Sequence, residues 1–134
     1  MGYRFIDHTA DVAFEVWGKD VKELIENATL AFYDAFVHVE KLDKNRTVDL
    51  SIEAEEVDLL LYKWLNELLY LFDTEFFAAR EVSVNASEFK VEGILIGSRV
   101  TREIVKLQPK AITMHNYRVE KGEGGYRTVI VVDI

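Results

Sequence analysis

Asp7, His8, Thr9, Ala10 and Asp11 put two carboxylates and an imidazole into one short break between apolar runs. At the far end, a strongly β-forming run finishes Val132-Asp133-Ile134, so a side-chain carboxylate stands next to the α-carboxylate of Ile134. If these two stretches meet, Asp11, Asp133 and Ile134 bring three carboxylate groups to one spot. That donor set suits a hard divalent cation, Ca2+ first and Mn2+ or Mg2+ as alternatives, because such ions take several oxygens and need their charge balanced. His8 then orients a ligand or faces a partner. The plainer reading also stands: Asp7 and Thr9 make Asx- or ST-type turns, and Asp133 is a solvated strand end.

Other chemistry is thin. Of the three histidines, His38 falls at a predicted helix end, where an imidazolium suits the dipole. Lys110 and His115 flank Ala111-Ile112-Thr113-Met114 and form either a polar patch or an ordinary exposed strand face. There is no HExxH, no phosphate loop, no serine-nucleophile elbow and no Rossmann fingerprint. Trp17 and Trp64 read as core or sheet-face packing.

The elements that must position these residues follow from periodicity. Residues 3–6 and 12–17 read as strands, the second with Val12, Phe14 and Val16 on one face. Asp20 with Glu23 forms a capping-box pattern, and the apolar stripe from Val21 to Phe36 gives a helix over about 20–37. Val48, Leu50 and Ile52 alternate as a strand. A second, more deeply buried helix opens at Glu56 or Val57, carries Leu61, Trp64, Leu65, Leu68 and Phe72, and ends near residues 73–75. Alternation returns from Arg80, with strands around an Ala86-Ser87 turn, another over about 111–119, and the last over 126–133 after Gly122-Glu123-Gly124-Gly125. Asp133 is in phase with Val129 and Val131, opposite to Ile130 and Val132. Phasing alone does not set the two strand ends side by side. The expected fold class is α+β, a single-domain two-layer sandwich over residues 1–134, two helices on one face of a largely antiparallel sheet.

Composition limits the function. The chain has 134 residues, 49% of them apolar, with no cysteine and a formal net charge of −8. One domain is expected, without disulfides, suited to the cytoplasm, and without a membrane span or signal peptide. Proteins that grip nucleic acid alone carry a basic face. Here Lys41, Lys44 and Arg46 come closest, and Asp43 interrupts them. Direct nucleic-acid binding is not expected; a basic partner or a cation is.

Four stretches together resemble the archease family: His8-Thr9-Ala10-Asp11 before an apolar strand and Trp17-Gly18; Leu59-Leu60 with Trp64-Leu65-Asn66-Glu67-Leu68-Leu69; Lys110 to His115; and the Val131-Val132-Asp133-Ile134 end. The resemblance implies an accessory protein of the RtcB-type tRNA-splicing ligase, without catalysis of its own. Its role would be to promote GTP-dependent guanylylation of the ligase histidine and multiple turnover. It also implies a divalent-metal site that falls on Asp11, Asp133 and Ile134, with Lys110 a further functional position. A chaperone-like modulator of a tRNA cytosine methyltransferase is the alternative role. Met114 departs from a frequent tyrosine and Gln108 from a frequent acid, which puts an acidic role at 108 in doubt.

Overall fold

In the computed structural model, residues 2–7, 11–114 and 116–134 are described. The order is β1 (Tyr3–Ile6), β2 (Asp11–Gly18), α1 (Val21–Phe36), β3 (Arg46–Glu53), α2 (Val57–Glu75), β4 (Phe77–Ala86), β5 (Lys90–Arg99), β6 (Ala111–Thr113), β7 (Glu120–Gly122) and β8 (Gly125–Asp133). Two helices against antiparallel strands match the α+β expectation. The strands divide into two sheets: β1-β2-β8-β6 with β7 also on β8, and β3-β5-β4. Helix α1 packs on both β2 and β4 and so joins the sheets, while α2 lies against α1 and strands of both.

The caps explain where the helices start and stop. Asp20 accepts a hydrogen bond from the Glu23 backbone N–H at 2.8 Å, and the Glu23 carboxylate reaches back to the Lys19 N–H at 3.2 Å, one residue beyond the usual capping box. Helix α2 ends at Phe76, whose φ of 53° is left-handed and whose N–H donates to the Leu71 carbonyl. Between the helices, the Trp64 indole donates to Thr29 at 2.8 Å, and the Thr29 hydroxyl donates to the Ile25 carbonyl at 2.7 Å. Gly93 lies under that indole; a Cβ there would sit 2.8 Å from the Trp64 ring.

Two strand boundaries differ from the sequence reading. Strand β4 begins at Phe77, because Phe77, Ala78 and Ala79 are all buried and so show no alternation; a register shift between Ala79 and Glu81 then restores it. The expected strand over 111–119 survives only as Ala111–Thr113. Asn116 turns left-handed at φ 57°, and the chain leaves the sheet to bind the first turn of α2. There the Tyr117 hydroxyl donates to the Asp58 carbonyl at 2.8 Å, and the Val119 N–H donates to the Asp58 carboxylate at 3.0 Å. Among the described residues, no helix is long and apolar enough to cross a membrane.

Candidate metal centre

Strand phase brings the two ends of the sequence together. β2 and β8 pair antiparallel with Asp11 opposite Asp133, Ala13 opposite Val131 and Glu15 opposite Val129. The inward residues Phe14, Val16, Ile130 and Val132 are buried against the helices, which fixes the register, since a one-residue slip would turn them to solvent. Asp11 and Asp133 therefore share the outer face, at the end of the strand pair. Asp11 is half-buried, Asp133 is exposed, and Ile134 follows directly. On the other side of β8, β6 pairs Ala111 with Asp133, and the Lys110 N–H donates to the Asp133 carbonyl at 2.7 Å. Asp11, Asp133, Ile134 and Lys110 are thus neighbours. His8 and His115 lie outside the described residues.

Asp11 and Asp133, as direct cross-strand partners, supply oxygen donors of the kind a hard cation takes. Among the described residues, no three His, Asp or Glu side chains cluster into a metal-ligand group. A cation here accordingly depends on Ile134, on solvent, or on a partner for its further oxygens.

Gln108 lies two residues before Lys110, and its amide donates to the Asp73 carboxylate at 3.3 Å. Burial pushes the Asp73 carboxyl above its ordinary value. An acid at 108 would meet that carboxyl as a like charge, whereas Gln108 supplies a donor. His38 lies past the α1 C-cap, with Nδ1 3.6 Å from the Glu40 carboxylate. Trp64 is core, and Trp17 is a sheet-face residue that is 37% exposed.

The sequence reading missed a charge triad on the same outer face. Glu15 is only 6% exposed, yet its carboxylate accepts from Arg4 Nε at 2.8 Å and from Arg127 Nε at 2.8 Å. The Arg4 hydrogen bond first, then that of Arg127, holds the Glu15 carboxyl below its ordinary value. The signal was an outward-phased glutamate inside the apolar run Val12 to Trp17.

A sequence model of the Archease protein family matches residues 3–134. The chain belongs to the archease family. Protein archease of Archaeoglobus fulgidus is 57% identical over 137 aligned positions, spanning the whole of both chains. The solution structure of Methanobacterium thermoautotrophicum protein 1598 superposes with a TM-score of 0.83 at 26% identity, covering 99% of each chain. The crystal structure of a Thermotoga maritima archease, described as a possible chaperone, gives a TM-score of 0.66 at 25% identity over 96% of this chain and 94% of that one. Archease membership and the β2–β8 register bear on the same end of the fold, because Asp11, Lys110 and Asp133 all lie in the stretches that carried the family resemblance.

Proposed function

We propose that this archease is an activator of the RtcB-type tRNA-splicing ligase and catalyses no reaction of its own. In this reading it promotes GTP-dependent guanylylation of the ligase's active-site histidine in the cytoplasm. The observation that carries the reading is the β2–β8 register, in which Asp11 stands opposite Asp133 at the end of the strand pair. Family membership supplies the context. Asp11 and Asp133, with the Ile134 carboxylate, would hold a divalent cation, Ca2+ first and Mn2+ or Mg2+ as alternatives. Such an ion supplies charge stabilisation to a phosphoryl oxygen.

The chain's own part is positional. Its strands set two aspartates opposite each other at one end of a sheet, and its net charge of −8 draws it toward a basic cleft. Lys110, whose backbone N–H donates to the Asp133 carbonyl, is proposed, with His8 and His115, to face the ligase. Binding would bias the ligase toward its guanylylation-competent state only by preferring that state.

The test compares guanylylation stimulated by wild type, Asp11→Asn, Asp133→Asn and Lys110→Ala, each verified as folded. Loss of stimulation in the aspartate variants supports the reading; undiminished stimulation by both removes the carboxylate pair from the working surface. A second reading is a chaperone-like modulator of a tRNA methyltransferase, favoured by the description of the Thermotoga structure as a possible chaperone. Stimulation of a methyltransferase with no effect on the ligase would select it.

A further inference from the structure

The arginines divide into two groups. Arg4, Arg46, Arg118 and Arg127 each pair with a carboxylate, and Arg80 donates to the Leu42 carbonyl. Arg99 and Arg102 are the other two of the seven, and among the described residues neither gives its guanidinium to an oxygen acceptor. Both line the same groove, of about 560 Å³, with Phe72, Phe76, Thr101 and Gln108.

The rest of the groove carries an exposed aromatic ring and apolar side chains. Phe76 is 51% exposed, although it is a large aromatic residue in a left-handed conformation that glycine would fill without strain. Its backbone is held on both sides, the N–H by the Leu71 carbonyl and the carbonyl by the Val100 N–H at 2.6 Å. The Arg99 guanidinium lies 5.3 Å from the ring centroid. A fixed exposed ring, apolar walls and two guanidinium forks with free donors occur together where a base stacks and a phosphate is gripped. The volume falls within the range of roughly 300–1,000 Å³ typical of small-ligand sites. The acidic charge of the whole chain opposes a long polyanion but not a single nucleotide.

We propose that this groove is a nucleotide-binding site, taking a nucleoside phosphate with its base against Phe76 and its phosphate on Arg99 and Arg102. The ligand is a free nucleotide or the phosphorylated terminal nucleotide of an RNA, two sources of one chemistry. Nothing in the proposal depends on the carboxylate pair or on the ligase reading.

The full-length protein is titrated with GTP, ATP, a short 3′-phosphorylated oligoribonucleotide, inorganic phosphate and hexaglutamate, with backbone amide shifts read by NMR. The expected result is saturable shifts at Phe76, Arg99 and Arg102 with the nucleotide ligands, much stronger than with phosphate or hexaglutamate. Saturation by free nucleotides assigns a small-molecule site, and saturation by the oligonucleotide alone assigns an RNA end. Arg99→Gln and Arg102→Gln should each weaken binding roughly tenfold or more, since each removes charge-assisted hydrogen bonds to the phosphate. Phe76→Gly should weaken binding without lowering the melting temperature, because glycine accepts this backbone conformation. Three results would overturn the proposal: no saturable shift with any nucleotide, equal binding of hexaglutamate, or unchanged affinity in the two arginine variants.

Discussion

Asp133→Asn should stabilise the protein in chelator and destabilise it, relative to wild type, in calcium. Asp11 and Asp133 are direct cross-strand partners, a placement that sets Cα atoms roughly 4.5–5.5 Å apart. Two unit charges roughly 5 Å apart in water repel by about 0.8 kcal/mol. The half-buried position of Asp11 raises that figure and salt lowers it, so the relief on neutralising Asp133 is about 0.5–1 kcal/mol. For a chain of this length that is roughly 2–4 °C in Tm. Calcium at a hundredfold excess over its dissociation constant would add about 2.7 kcal/mol to wild type. The variant, with one carboxylate fewer, should gain much less, and the order of the two melting curves inverts. The assay is thermal unfolding by circular dichroism in EDTA and in millimolar calcium chloride. A lower Tm for Asp133→Asn in EDTA, or equal calcium shifts for both proteins, would refute the reasoning.

Extending the chain by a glycine after Ile134 converts its α-carboxylate to an amide, so the calcium-induced Tm shift should shrink while stability in EDTA stays near wild type. Thr29→Val leaves the buried Trp64 indole without its acceptor. Urea unfolding should show a loss of about 1–3 kcal/mol with the m-value unchanged. Because Arg4 and Arg127 depress the Glu15 carboxyl in the folded state, its contribution is present above the unfolded value near 4.5 and fades as pH falls through the lower folded value. Glu15→Gln should therefore be less stable at neutral pH and lose stability less steeply below pH 4.5, read from denaturation midpoints across that range.

The parts of this fold that were legible in the sequence are those set by local chemistry. Asp20 and Glu23 announce the start of α1, and the stripe from Leu61 to Phe72 announces α2, because capping and 3.6-residue periodicity act within a few residues. The opposite phase of Asp133 and Ile130 was legible too, and it correctly puts Asp133 on the outer face. Long-range choices were not legible. The Phe77-Ala78-Ala79 run is buried on both sides and so carries no alternation. The departure of the chain at Asn116 depends on Asp58, distant in sequence but bonded to Val119. The pairing of Asp11 with Asp133 needed the register, which Phe14, Val16, Ile130 and Val132 fix only once the helices cover them. Glu15 was hidden for a related reason: its partners Arg4 and Arg127 lie on two neighbouring strands, and a carboxylate inside an apolar run has no visible compensation until those strands pair.

The central claim is that this archease prepares a ligase for chemistry by presenting a carboxylate-held cation. Its most direct test is single-turnover guanylylation of an RtcB-type ligase by GTP, measured with and without this chain at fixed divalent-cation concentration. The account predicts a faster, more complete formation of the ligase–guanylate adduct when the wild-type chain is present. An identical rate and extent with and without it would contradict the account.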